Sequence, residues 1–229
     1  RVGPPQKGVY SYLAVSGGIQ SIPVLGSRSF HRRSGIGGNI LSPGDQLPCL
    51  KSADDTALFF PEGISHGSDD SFRILPGPQV NMFDAIAWSR LVSERYQINP
   101  RSDRMGLRLD GPSLESKKGY DIISDGVVPG CIQVPGDGSL IILGRDCQTT
   151  GGYPKIATII SADLDRLAQV PVGRSVRFHT VSEEVAIEAA HNAMQWCSSL
   201  KSVARPIGCS TSNLLSHNLI GGVTKGDDL

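Results

Sequence analysis

The chain has 229 residues, enough for one large domain or two small ones with a real core. Lysine plus arginine balances aspartate plus glutamate at 22 each, and this zero formal charge argues against a nucleic-acid binder, which carries a basic excess or stripe. With 27 glycines, 15 prolines, only 19% charged residues and short scattered apolar runs, the composition is that of a turn-rich, mainly β protein.

Residues Arg1 to Lys7 carry neither an initiator Met nor a signal-peptide pattern, and strand-like sequence starts at Val9, so the chain reads as a fragment whose beginning lies elsewhere. Val9–Val15 is predicted as a strand ended by Gly17-Gly18, followed by a short apolar run at Ile22–Leu25 and a turn at Leu41–Asp45. Thr56–Phe60 and Ser71–Leu75 read as short strands, each closed by proline. The spacing of Met82, Phe83, Ile86 and Ala87 predicts a helix over Asn81–Tyr96. Strands are then predicted at Arg104–Leu109, Gly119–Ser124, Gly130–Val134, Leu140–Leu143 and Ser175–Val181, with Lys155–Ile160 open between strand and helix. Ser182–Leu200 is a second helix, with Ser182 as its cap and Glu183 and Glu184 at the positive end of its dipole. The reading is one domain over 1–200 and an irregular tail over 201–229.

Five cysteines, Cys49, Cys131, Cys147, Cys197 and Cys209, form no C-x-x-C pair and read as reduced thiols of a cytoplasmic protein. No run approaches the length of a membrane-spanning helix, so no membrane partner is expected. The five histidines show no ligand spacing, and no metal is expected. Gly63-Ile-Ser-His-Gly67 matches a nucleophile elbow, but turn and strand follow it where the elbow needs a helix, so Ser65 is read as part of a β–β loop. There is no Walker-type phosphate loop.

Two segments carry chemistry. Arg104 and Arg108 are four apart on a predicted strand and so share a face, where two guanidinium forks can hold a carboxylate or phosphate; a solvated face paired to Asp103 and Asp110 is the competing account. The stretch from Asp125 to Lys155 gathers turns, apolar runs and small polar groups. Its end, Gln148-Thr-Thr-Gly-Gly-Tyr-Pro-Lys155, offers an amide, two hydroxyls, a phenol, an ammonium and the bare backbone of Gly151-Gly152, a donor set suited to an oxyanion or ureido oxygen. The candidate substrate-binding residues are Arg104, Arg108, Gln133, Gln148, Thr149, Gly151, Gly152 and Lys155; the candidates for chemistry are Asp137, Thr150 and Tyr153.

These residues stand in ordered blocks that resemble the allophanate-hydrolase-subunit-2 family, also called the biotin-dependent carboxyltransferase family or the family of the 5-oxoprolinase C component. The blocks are Tyr12–Ile19 with Val24–Arg28, Ser102–Leu109, Ser124–Val127, Gly130–Gly138, Gln148–Lys155, and Ser161–Leu164 with Leu167–Gln169. They lack the family's N-terminal third. The resemblance implies a cyclophilin-like β-barrel and a subunit-1-type protein partner acting with it on a small-molecule substrate. It implies ATP-dependent opening of 5-oxoproline to glutamate, with ATP held by or with the partner complex. Two alternatives come with the family: a carboxyltransferase of a urea carboxylase system, with biotin on a separate carrier, and a regulatory subunit that antagonises a kinase inhibitor.

Overall fold

The computed structural model describes residues 8–13, 15, 17–50, 58–59, 69–203 and 205–206. Ser65, Cys209 and most of the 201–229 tail lie outside them. The chain divides into two compact units, Arg1–Ser11 with Glu62–Ser202 and Tyr12–Pro61 with Val203–Leu229. In chain order the elements are β1 (Leu58–Phe59), β2 (Ser71–Pro76), α1 (Ala85–Ser93), β3 (Tyr96–Ile98), β4 (Gly106–Asp110), β5 (Asp125–Gly126), β6 (Cys131–Gln133), β7 (Leu140–Leu143), β8 (Thr150–Gly151), β9 (Lys155–Ile159), α2 (Leu164–Ala168), β10 (Ser175–Thr180), α3 (Glu183–Val203) and β11 (Arg205–Pro206). No helix among the described residues is long and apolar enough to cross a membrane.

In the second unit β1 pairs with β11, and the described part of Tyr12–Leu50 is irregular chain with isolated bridges such as Ile19 to Cys49. Among the described residues of Val9–Val15 the predicted strand does not form. The backbone at Val9 and Tyr10 is satisfied instead by one side chain: Gln169 Oε1 accepts from both amides at 2.8 and 2.9 Å, and Gln169 Nε2 donates to the Tyr10 carbonyl.

The first unit is a closed barrel of seven strands in the order β10-β2-β9-β6-β7-β4-β3, the mainly β barrel that the resemblance implied. Six of the seven neighbours pair antiparallel; β10 and β2 run parallel, with Phe178 opposite Phe72. Alternation sends Phe72 and Ile74 of β2, Ile132 of β6, Leu140 and Ile142 of β7, and Val176 and Phe178 of β10 into the interior, where all are buried. Leu91 of α1 joins them.

The helix predicted over Asn81–Tyr96 is shorter, for two local reasons. Asp84 caps it, its carboxylate accepting from the Ala87 amide at 2.8 Å. At the far end Glu94 is extended, and Tyr96 and Ile98 alternate into the core as β3. Gly119–Ser124 is irregular chain with bends at Tyr120 and Ile123 rather than a strand, and Gly119 has φ of +88°. Lys155–Ile159 is a strand. Sequence reasoning passed over α2, β3, β5, β8 and β11, the last in the segment read as an irregular tail.

The link from β9 into α2 is fixed by charge. Asp163, with its side chain 3% exposed, accepts from the Arg73 amide at 2.9 Å and from the Arg73 guanidinium at 3.1 and 2.6 Å. Arg166 stands 3.5 Å away and lies over the Phe72 ring at 4.1 Å. Burial by itself raises the Asp163 pKa; the forked contact with Arg73 more than offsets this and holds it below the ordinary value. Its contribution to stability is therefore present above the unfolded carboxylate value and lost as pH falls through the lower folded one. Asp163→Asn is expected to cost about 3 kcal/mol, the low end for a broken buried pair because Arg73 keeps access to water. Denaturant unfolding at neutral pH measures this, and the difference from wild type should shrink on acidification.

Candidate functional site

The candidate site lies on the outer wall of the barrel. Along β6, Ile132 and then Val134 face the interior, while Cys131 and Gln133 face out. On that outer face Val127, Cys131 and Leu143 form a second, smaller apolar cluster with Ile141 and Cys147. A two-stranded ribbon lies beside it: Asp125 and Gly126 of β5 pair with Gly151 and Thr150 of β8.

A bulge sets the site's chemistry. β6 and β9 run in regular register from Cys131 opposite Thr158 to Ile132 opposite Ala157, and regular pairing would next place Ile156 opposite Gln133. A register shift puts Lys155 there instead. Bulges re-aim side chains in this way. Ile156 stays in the barrel core, and Lys155 turns toward the ribbon beside Gln133.

Lys155 is 1% exposed. Its ammonium donates to Asp125 Oδ2 at 2.7 Å and to the Gly126 carbonyl at 3.1 Å. Gln79 joins both residues: its Oε1 accepts from the Lys155 amide at 3.1 Å, and its Nε2 donates to Asp125 Oδ2 at 3.3 Å. The Lys155 ammonium first, then Gln79 and the Gly126 amide, hold the Asp125 carboxyl below its ordinary pKa. Gln79 reaches this position because the chain hugs β9 after β2 ends, with the Gly77 amide on the Ile156 carbonyl at 2.8 Å and the Gln79 amide on the Lys155 carbonyl at 3.2 Å.

Gln133 is 2% exposed, and its Nε2 is buried without a partner among the described residues. It points at Gly151, where an added Cβ would lie 2.5 Å from Nε2 and 3.5 Å from Gln148 Nε2. The cluster thus gathers buried donors, an ammonium and an amide, under bare backbone, an arrangement that favours an oxygen carrying negative charge.

The structure brings Gln133, Gln148, Gly151 and Lys155 together. Thr149 and Gly152 hold the ribbon through backbone carbonyls, accepting from Val127 N at 3.0 Å and Ile122 N at 2.8 Å. Thr150 and Tyr153 are exposed on or next to β8. Asp137 is exposed in the β6–β7 turn and accepts from the Ser139 amide and hydroxyl at 3.0 and 2.7 Å; those bonds, with Arg108 nearby, lower its pKa. The arginines do not share a strand: β4 starts at Gly106, Arg104 sits in the loop before it bonded to Asp146 at 2.9 Å, and Arg108 is exposed on β4. Sequence reasoning missed Gln79 and the part played by Asp125. Gln79 lies 46 residues from Asp125 and 76 from Lys155, and the Pro76-Gly-Pro78 break before it was the one local sign of a tight turn. Among the described residues no group of His, Cys, Asp and Glu is placed to hold a metal.

Two outcomes follow from this geometry. A Cβ on Gly77 would lie 2.3 Å from the Lys155 carbonyl, so Gly77→Ala must push β9 aside and is expected to destabilise by about 1–3 kcal/mol, read from denaturant midpoints. Because its pKa is lowered, Asp125 keeps its grip on Lys155 above the unfolded carboxylate value, about 3.9, and loses it as pH falls through the folded one. The Gly126 and Gly151 amide NMR signals should titrate with a midpoint below that ordinary value; a midpoint above it would contradict the pairing.

The comparisons with known proteins agree with this architecture. A model of the carboxyltransferase domain, subdomains A and B, matches residues 1–180. The chain is 40% identical over 196 residues to the C component of 5-oxoprolinase from Escherichia coli K12, covering 84% of this chain and 63% of that protein, so it spans about three-fifths of that relative's length. It is 27% identical over 216 residues to the urea amidolyase of Lachancea kluyveri, covering 81% of this chain and 12% of that one. The crystal structure of TTHA0988 superposes with a TM-score of 0.64 at 33% identity, over 77% of this chain and 34% of the other. The chain belongs to the carboxyltransferase-domain family built of subdomains A and B.

Proposed function

We propose that this chain acts as the C component of an ATP-dependent 5-oxoprolinase, opening 5-oxoproline to glutamate together with a subunit-1-type partner. The observation that carries this reading is the 40% identity to the Escherichia coli 5-oxoprolinase C component across most of the chain. Opening a lactam adds water across its C–N bond and places negative charge on the carbonyl oxygen on the way. Lys155 and Gln133, fixed on a barrel wall and shielded from water, are suited to stabilise that charge, with Gln148, Thr149, Thr150 and the backbone of Gly151-Gly152 beside them. Tyr153 and Asp137 are the candidates for moving a proton, and Arg108 and Arg104 for meeting the substrate carboxylate. ATP supplies the activation of the carbonyl. This chain has no Walker-type loop to cradle its phosphates, so ATP is assigned to the assembled complex.

A second reading is a carboxyltransferase acting on biotin carried by another protein. The family model and the urea amidolyase relative favour it. The same donors would then face a ureido oxygen.

The test is glutamate release from 5-oxoproline and ATP by the full-length protein co-expressed with its subunit-1-type partner. Turnover supports the first reading; biotin-dependent carboxylation of urea in its place supports the second. Binding to a kinase inhibitor with neither turnover would turn the assignment to a regulatory role. In an active complex, Lys155→Met should lower turnover at least about tenfold, equivalent to about 1.4 kcal/mol in the barrier. The substitution breaks a buried pair and costs stability, so turnover is compared only after circular dichroism shows the variant complex folded at the assay temperature. Near-wild-type turnover in that variant would remove Lys155 from the chemistry.

A further inference from the structure

The carboxamide of Gln133 makes no hydrogen bond among the described residues. Its Nε2 is sealed from water without a partner, and no hydrogen bond reaches its Oε1 among the described residues. Buried amides of this kind are normally paired, and one left unpaired lowers stability unless something else occupies the place. Across the sheet, Lys155 uses two of its three ammonium hydrogens, on Asp125 and the Gly126 carbonyl, and the third has no acceptor among the described residues. Above the amide, the position nearest Nε2 is filled by Gly151, whose lack of a side chain leaves it facing bare backbone.

A carboxamide presents one donor and one acceptor side by side in a plane. Its complement is an amide held cis, with C=O and N–H on the same edge. An ordinary peptide bond is trans and does not offer that edge; a small lactam or cyclic ureide ring cannot avoid offering it. We infer that Gln133 recognises a cis-amide edge, the adjoining N–H and C=O of a small lactam or ureide ring, and that the free hydrogen of Lys155 goes to the same carbonyl oxygen. The identity of the ring rests on the proposed function: the lactam of 5-oxoproline carries this edge, and the ureido ring of biotin carries it as well. Entry requires the β5–β8 ribbon to lift. A ladder of two residues per strand is weak in isolation, and the Asp125–Lys155 contact is its latch to the barrel wall.

The test uses the full chain and three small rings, 2-pyrrolidinone, 2-imidazolidinone and N-methyl-2-pyrrolidinone, followed by NMR at the Gln133 side-chain amide. The two N–H rings should bind saturably and move that signal; the N-methyl ring, which lacks the donor, should bind at least about tenfold more weakly. Preference between the first two assigns the lactam or the ureide. Gln133→Met should weaken binding of the N–H rings at least about tenfold and leave the thermal midpoint unchanged or higher, because it removes an unpaired buried donor. A lower midpoint would give the amide a structural role and overturn the inference. So would equal affinity for the N-methyl ring, or saturable binding of none of the three. Gln133→Glu, which keeps the shape while replacing the donor with an acceptor, must likewise lose binding. Glutamate release by the assembled complex without this selectivity sinks the inference alone, whereas selectivity without glutamate release sinks the proposed activity alone.

Discussion

A lysine ammonium taken out of water must have its charge answered where it lies, or folding stalls on the cost of burying it. Lys155 imposes that requirement on everything around it. Asp125 has to be within reach, which fixes the ribbon against the outer wall. The ribbon then brings Gly151 over Gln133. Gln79 binds both members of the ion pair, which in turn demands that the chain leaving β2 run close against β9, possible only with glycine at position 77.

The barrel supplies what the ion pair needs, a surface that does not yield. Gln133 and Lys155 stand on adjacent hydrogen-bonded strands of a closed sheet, with a packed core behind them and the Arg73–Asp163 fork tying β2 to the segment after β9. The cover is the opposite in character, two residues of ladder on each side and mostly exposed. Donors on a stiff wall hold their geometry independently of so light a cover, and rigid support is what precise placement of polar groups requires.

The barrel was legible in the sequence wherever strands were long enough to alternate. Ser175–Thr180 and Leu140–Leu143 announced themselves by pattern, and so did the helix from Glu183. The reading failed where side chains replaced backbone partners, as Gln169 does for Tyr10, and where a core strand of three residues followed directly on a helix, as at Tyr96. Of the site, the polar run Gln148–Lys155 was visible as a density of donors. Its true neighbours were not, because Gln79 and Asp125 reach Lys155 only through strand order. The same limit explains the arginines: spacing of four implies a shared face only within a strand, and Arg104 lies outside β4, answering Asp146. No local pattern announces a bulge, so nothing in the chain foretold that Lys155 rather than Ile156 would stand opposite Gln133.

The parallel seam between β2 and β10 has a consequence for the order in which the molecule is made. β10 closes the ring by bonding β2 on one side and β3 on the other, yet it is the last barrel strand in the sequence. A growing chain that has not reached Ser175 carries two open strand edges, at β2 and at β3, and a half-wrapped core between them. Closure must then join residues about a hundred positions apart, a slow step by the entropy of loop closure, so the interval before β10 docks is when this protein is most exposed to pairing with the wrong strand.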